Sequence, residues 1–375
     1  MTTDALTPFA IDVPQADLDD LKERLSRTRW PAEIPGQGWQ RGVPLDFLRD
    51  LVAYWADGYS WRAQEASLNT HPQLMTTVDG QPIHLFHIRS SSPDALPLIL
   101  THGWPSSNVE FIKLVDLLTK DFHLVMPSLP GYGWSTPVRE EGWGNIFRVA
   151  GAWATIMGRL GYTKYGVHGT DVGSGVAGLL PMVAPEAVVG VHVSGPTPMP
   201  FGPPIDPTGL SPEDQVRAAR FNTFRSEGAG YLHIMSTRPQ TLGYSLHDSP
   251  VGQLAWMVEK YREWSHDLSA IDRDQLLTNV TLTWFNGVGA SSSHMVYEGM
   301  QAWKAMASSS HEPTNYAPQG PPTGVAVFAA DNSIRSAVGP AGAAEHWSEF
   351  DRGGHFPAME APDLLAEDLR AFFRP

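Results

Sequence analysis

The chain has 375 residues, a formal net charge of −14, 42% hydrophobic residues, 18% charged residues and no cysteine. This composition indicates a compact globular protein with a large core, and the acidity argues against nucleic acid or an anionic membrane as a partner. The lack of cysteine excludes a disulfide, a thiolate nucleophile and a cysteine zinc site.

The N-terminal part of the chain predicts helices and no membrane segment. Its first residues lack the basic and apolar regions of a signal peptide, and no run of 18 uncharged apolar residues occurs, so we expect a soluble cytoplasmic protein. Leu18, Leu21 and Leu25 lie on one face of an amphipathic helix that stops at Pro31, and a second such helix follows. We therefore assign residues 1–75 to an N-terminal helical extension.

From about Leu74 the pattern changes to short apolar strands that alternate with helices. A hairpin is predicted around Asp79 and Gly80, and the later strands include LPLILT, FHLVMP, YGVHGT and AVVGVHVS. Such alternation predicts an α/β fold with a mostly parallel, doubly wound sheet. We assign its first part to residues 76–195.

Two proline-rich stretches, PTPMPFGPPIDPTGLSP and EPTNYAPQGPP, interrupt this pattern. The region between them is helical and rich in aromatic residues, so we predict an inserted helical cap over residues 196–307. The strand TGVAVFAAD, a last strand in HWSEF and an amphipathic closing helix then complete the core over residues 308–375.

A single carboxylate stands among small residues in the segment HGTDVGSG. A nucleophile on a tight strand-to-helix turn needs small residues two positions away on each side, and Gly169 and Gly173 satisfy this requirement around Asp171. A helix-capping aspartate is the structural alternative. No serine in the chain has glycine at both of these positions, so a serine esterase has no candidate nucleophile.

A base, an acid and an oxyanion hole are also needed by a hydrolase of this architecture. His355 follows two glycines in a loop before the last helix, and Asp331 ends the preceding strand, which is the expected order of nucleophile, acid and histidine. The backbone amides of Trp104 and Val172 occupy the expected positions of an oxyanion hole.

These motifs resemble those of the microsomal-type and juvenile hormone epoxide hydrolases, and the resemblance covers nearly the whole chain. It rests on RLSRTRWP, HGWP, PSLPGYGWS, the aspartate turn, GYLHIMSTRPQTLGYSLHDSPVG and RGGHFPAMEAPDLL. The resemblance implies an α/β-hydrolase fold with a helical cap and an N-terminal extension. It also implies conversion of an epoxide to a vicinal diol without a metal or an organic cofactor.

The resemblance further implies roles for individual residues. Asp171 matches the nucleophile, His355 the base and Asp331 its acid partner. Tyr231 in GYLHIMSTRP and Tyr297 in SSSHMVYEG match the two cap tyrosines that activate the epoxide oxygen in this family.

The chain departs from the family pattern on both sides of the nucleophile and at its N-terminus. Val172 replaces the usual tryptophan after the nucleophile, and Thr170 replaces the usual glycine before it. The membrane anchor of the microsomal enzymes is expected to be absent.

The expected partners are an apolar epoxide and water, with neither nucleic acid nor a membrane, and a homodimer is compatible with the sequence. A haloalkane dehalogenase, or an inactive hydrolase fold that serves as a binding protein, is the alternative function. Detoxification and secondary metabolism both fit, and the sequence does not identify the epoxide.

Overall fold

The computed structural model describes residues 5–198, 201–308 and 320–374, and nine strands of these residues form one sheet. The strands are β1 (Thr7–Phe9), β2 (Gln73–Val78), β3 (Gln81–Ile88), β4 (Leu96–Thr101), β5 (Phe122–Pro127), β6 (Tyr165–Thr170), β7 (Val188–Ser194), β8 (Thr323–Val327) and β9 (His346–Glu349). Their order in the sheet is β1-β2-β3-β5-β4-β6-β7-β8-β9. The pairs from β1 to β5 along this order are antiparallel, and all pairs from β5 to β9 are parallel. The predicted mostly parallel α/β sheet is confirmed.

Helices cover both faces of the sheet and form the segment between β7 and β8. They are α1 (Gln15–Ser26), α2 (Leu45–Ala53), α3 (Trp61–Leu68), α4 (Ile112–Leu118), α5 (Ile146–Arg159), α6 (Val172–Val183), α7 (Pro212–Thr223), α8 (Gly230–Met235), α9 (Pro239–Asp248), α10 (Pro250–Trp264), α11 (Arg273–Phe285), α12 (Val288–Ser308), α13 (Pro357–Glu360) and α14 (Pro362–Phe373). The six helices α7–α12 therefore follow one another with no strand of the sheet between them.

The central strands are buried on both faces, which explains their continuous apolar sequences. In β4, Ile99 belongs to one hydrophobic core, whereas Leu98 and Leu100 belong to another. In β5, Val125 and Met126 divide between the same two cores. Because successive side chains of a strand point to opposite faces, the sheet separates these two cores.

A third hydrophobic core joins the N-terminal helices to the helices between β7 and β8. Trp55, which follows α2, packs in it with Leu254 and Tyr261 of α10 and with Phe356, next to the predicted base. The indole N–H of Trp55 also donates a hydrogen bond to Thr281 Oγ1 in α11, at 2.9 Å. The N-terminal helices thus support the helices between β7 and β8 by packing against them.

The N-terminal region also contributes a strand that the sequence pattern did not predict. β1 pairs with β2, and β2 itself begins at Gln73, so it crosses the position after residue 75 at which we divided extension from core. β1 was missed because its three residues are too short for a periodic signal and include Pro8, which is tolerated only at a sheet edge. Most of the second proline-rich stretch, namely residues 312–319, lies outside the described residues. In the parts of the chain that are described, no helix is long and apolar enough to cross a bilayer.

Candidate active site

The turn between β6 and α6 holds Asp171 in a conformation that needs glycines around it. Asp171 has φ +53°, in the left-handed region, as is usual for a nucleophile on a strained strand-to-helix turn. A Cβ atom on Gly169 would lie 2.0 Å from the carbonyl oxygen of Gly173. A Cβ atom on Gly173 would lie 2.0 Å from the carbonyl oxygen of Thr101. Both predicted glycines are therefore required by close backbone approach.

The Asp171 carboxylate points back toward the loop after β4 and makes no side-chain cap on α6. The Trp104 N–H donates to Asp171 Oδ1 at 2.9 Å, and Gly103 leaves room for the carboxylate, which would lie 2.3 Å from a Cβ atom there. Burial alone would raise the pKa of Asp171, but His355 and the amides of Val172 and Trp104 hold the pKa below its ordinary value. Asp171 is consequently a half-buried carboxylate that stays ionised at neutral pH.

His355 reaches Asp171 from the loop between β9 and α13. Its Nε2 lies 3.5 Å from Asp171 Oδ2, and its backbone N–H donates to the carbonyl oxygen of Trp264 at 3.0 Å. The two preceding glycines allow this path, because Gly353 has φ +80° and a Cβ atom on Gly354 would lie 2.6 Å from that same carbonyl oxygen. The structure thus brings the predicted nucleophile and base together.

Asp331 follows β8 and is 6% exposed. The Phe328 N–H donates to its Oδ2 at 2.7 Å, and its carboxylate packs over Gly195, where a Cβ atom would lie 2.9 Å from Oδ1. Burial raises the pKa of Asp331 to about 6, although the Phe328 amide and His355 oppose this rise. The interaction with His355 is electrostatic, and no hydrogen bond joins the two side chains among the contacts of the described residues.

The charge of His355 is set by opposing effects. Burial lowers its pKa, but the Asp171 carboxylate, with smaller contributions from Asp331 and Glu110, opposes this effect, and the net shift of the pKa is upward. The negative charge of Asp171 therefore favours the protonated form of His355.

Tyr231 packs on the loop that binds the Asp171 carboxylate. Its ring stacks on the Trp104 indole, with ring centroids 4.9 Å apart and planes inclined by 9°, and it also contacts Trp264. Burial raises the pKa of Tyr231 well above its ordinary value, and the negative charge of Asp171 adds to the rise. The hydroxyl is therefore retained as a hydrogen-bond donor beside the carboxylate.

Tyr297 is not brought into this constellation. Its side chain is 37% exposed, whereas Met295 and Val296 on the same helix pack against the core. Successive helical residues are separated by about 100° around the axis, so the three side chains face different directions. Among the contacts of the described residues, no hydrogen bond or ring contact joins Tyr297 to Asp171 or Tyr231, and its role stays a prediction.

Two buried acids near His355 were missed by the sequence analysis. Glu360 accepts hydrogen bonds from the backbone amides of His266 and Phe356, at 2.8 and 3.1 Å, and so fixes the loop that carries the histidine. Glu110, eight residues after His102, is 2% exposed and interacts electrostatically with Asp171 and His355. Burial raises the pKa of Glu110 to about 8 and that of Glu360 to about 7. No local pattern marks such residues, because their burial depends on distant helices.

Comparisons with known proteins identify the family and the fold. Residues 6–111 match the family model "Epoxide hydrolase N terminus", and residues 97–242 match "alpha/beta hydrolase fold". The chain is 42% identical to the protein named "Putative epoxide hydrolase" from Stigmatella aurantiaca, over 98% of this chain and 85% of that protein. It is 30% identical to juvenile hormone epoxide hydrolase 1 from Ctenocephalides felis, over 97% of this chain and 84% of that protein.

Solved structures give the same result. The epoxide hydrolase of Aspergillus niger superposes with a TM-score of 0.86 and 29% identity, covering 99% of this chain and 97% of that chain. The juvenile hormone epoxide hydrolase of Bombyx mori also has a TM-score of 0.86, with 27% identity, covering 99% of this chain and 94% of that chain.

Proposed function

Because the chain belongs to the epoxide hydrolase family, and is thus a hydrolase with the α/β-hydrolase fold, we propose that it opens an apolar epoxide through a covalent ester on Asp171. The observation that carries this proposal is the placement of the half-buried Asp171 carboxylate. One oxygen accepts the Trp104 N–H, and the other faces His355 Nε2 at 3.5 Å.

In the first step, Asp171 Oδ2 attacks one carbon of the epoxide. A carboxylate needs no base to activate it, because it is already ionised at neutral pH. The carbon–oxygen bond of the strained ring breaks, and Tyr231 donates to the alkoxide that leaves. General-acid help of this kind is worth about 10²-fold or more.

In the second step, water attacks the ester carbonyl carbon of Asp171. His355 Nε2 accepts a proton from this water, and the amides of Trp104 and Val172 stabilise the negative charge that develops on Oδ1. The intermediate collapses, the ester bond breaks, and the diol oxygen takes the proton back from His355. Asp331 stabilises the positively charged imidazole in between. The second proton of the water is left on the Asp171 carboxyl group and passes to Tyr231, which gave its own proton to the alkoxide in the first step, so the enzyme returns to its starting state.

The interaction between Asp171 and His355 also changes the charge of His355 between the two steps. While Asp171 is ionised, it raises the pKa of His355; once it is an ester, this negative charge is gone and burial lowers the pKa of His355. The histidine consequently becomes a neutral imidazole, and so a base, at the stage at which a base is needed.

Single-turnover labelling tests the covalent step. With enzyme in excess over a generic aryl epoxide in ¹⁸O-water, we expect the label in the Asp171 side chain and unlabelled oxygen in the first diol. In His355→Gln, the ester should accumulate and add the mass of the substrate to the peptide that holds Asp171. Label in the first diol with none in Asp171 would mean that His355 activates water against the epoxide itself.

A haloalkane dehalogenase would share the carboxylate and the histidine but would release halide. A halide needs no proton, whereas Tyr231 provides a protonated donor above the carboxylate. Turnover of an aryl epoxide, with no halide released from a chloroalkane or bromoalkane of similar size, would separate the two activities. An inactive binding protein would turn over neither substrate.

A further inference from the structure

Glu110 is a buried acid that the two chemical steps above do not use. It lies in the 3₁₀ turn Asn108–Phe111, directly after the loop that supplies the oxyanion hole. The Gln275 side chain of α11 donates to the carbonyl oxygens of Val109 and Glu110, at 3.2 and 3.3 Å, so this turn is fixed against α11. The fold therefore holds the backbone of Glu110 in a defined position.

The surroundings of this carboxyl group are polar but incompletely paired. Among the described residues, neither Glu110 Oε1 nor the Tyr261 hydroxyl has a hydrogen-bond partner, although both are fully buried. Burial raises the pKa of both groups, and the Ser106 hydroxyl opposes the rise in each. Buried polar atoms of this kind are normally satisfied by protein or by an ordered water.

The same cluster borders the reacting groups. Phe356 packs against both the Tyr261 ring, at 4.5 Å between centroids, and the His355 ring, at 5.0 Å. His355 Nε2, the atom that faces Asp171, is itself buried without a full hydrogen bond. Glu110 also interacts electrostatically with both His355 and Asp171. Glu110 and Tyr261 therefore lie in the layer of residues next to His355.

We propose that Glu110, with Ser106 and Tyr261, binds the hydrolytic water and orients it between His355 and the ester carbonyl. The proposal rests on the covalent function above. Glu110 accepts a hydrogen bond from one water O–H while His355 Nε2 accepts the other, which leaves an oxygen lone pair directed at the carbonyl carbon. Glu110 neither gains nor loses a proton in this step, so the proton balance of the hydrolysis is unchanged.

Ester formation and ester hydrolysis should depend differently on Glu110. Water has no part in ester formation, so removing the carboxyl group should leave that step nearly intact and slow only ester hydrolysis. In the steady state, a slower second step lowers kcat and KM together and leaves kcat/KM unchanged. A general disturbance of the fold would lower kcat/KM as well.

The test compares Glu110→Leu with the nearly isosteric Glu110→Gln in rapid-mixing experiments with an aryl epoxide. We expect ester decay to slow about tenfold or more in Glu110→Leu and about threefold or more in Glu110→Gln, with ester formation within about twofold of wild type. Mass spectrometry of the Asp171 peptide measures both rates. Glu65→Gln is the matched control, because Glu65 is another buried glutamate but bonds to the Val13 amide in the N-terminal segment.

Wild-type ester decay in Glu110→Gln, or equal slowing of formation and decay in both variants, would overturn the proposal. If Glu110→Leu does not fold, Glu110→Gln decides the question alone. Absence of any ester in His355→Gln would instead contradict the covalent mechanism, so the two failures are distinguishable.

Discussion

Asp171 and His355 determine each other's charge at the scale of single residues. The carboxylate is the largest influence that raises the pKa of the histidine, against burial, and the histidine is the largest influence that lowers the pKa of the carboxylate. In the proposed mechanism, this mutual dependence allows a single ester bond to convert His355 into a base.

The coupling predicts the effect of removing the charge. In Asp171→Asn, the pKa of His355 should fall below its wild-type value, because burial persists while the main cause of the upward shift is lost. An NMR titration of the His355 imidazole measures this directly. Because the shift is downward, the imidazole of the variant should lose its proton at a lower pH. An unchanged or higher pKa would contradict the proposed timing of the two steps.

The two tyrosines should respond differently to loss of the hydroxyl group. Tyr231→Phe should lower kcat/KM for an epoxide by about 10²-fold, because the alkoxide loses its donor. Tyr297→Phe should stay within about twofold of wild type, because that side chain is 37% exposed. It serves as the matched control for the same chemical change. A large loss in Tyr297→Phe would mean that α12 rotates or shifts when substrate binds.

At the scale of elements, the turn between β6 and α6 depends on glycine where two backbones meet. Gly173→Ala should abolish turnover and destabilise the fold, because its Cβ atom would overlap the carbonyl of Thr101. Gly178 of the same helix is exposed, with nothing within 4 Å of a Cβ atom. Gly178→Ala should therefore raise the free energy of unfolding by about 0.5–1 kcal/mol.

Denaturant unfolding and an epoxide assay of the two alanine variants give the measurement. Both changes add one methyl group to α6, so a difference between them reflects the site and not the substitution. Full activity in Gly173→Ala would show that the turn relaxes without moving Asp171.

At the scale of the whole molecule, the N-terminal helices and the helices between β7 and β8 share one hydrophobic core. Trp55→Ala should lower the free energy of unfolding by about 3–5 kcal/mol, since it empties a buried site, and Trp55→Phe should lower it by about 1–2 kcal/mol, since it also removes the bond to Thr281. Ile34→Ala, at a side chain that is 55% exposed, is the control and should change little.

Hydrogen exchange extends this test to the coupling between regions. In Trp55→Ala, the amides of α2 and α11 should lose protection together, because the two helices are stabilised by the same contacts. Loss of protection in α2 alone would mean that the extension is an independent unit.

Features that depend on residue type at fixed spacings along the chain could be predicted from the sequence. Strand and helix periodicity identified the parallel sheet, and the glycines around Asp171 and before His355 identified the turn and the loop, because a close backbone approach restricts residue type at fixed spacings. The chain order of Asp171, Asp331 and His355 predicted a triad, because it is the order of nucleophile, acid and histidine expected in this architecture.

Which side chains surround the site depends on the tertiary structure. Tyr297 fits the family motif, but its side chain is 37% exposed in the folded chain, and neighbouring positions on α12 differ because a single step along a helix rotates a side chain by about 100°. Glu110 carries no motif, and its burial arises from α11 and α13, which are distant in sequence. The charge of a buried group depends on everything packed around it, and that environment exists only once the chain has folded.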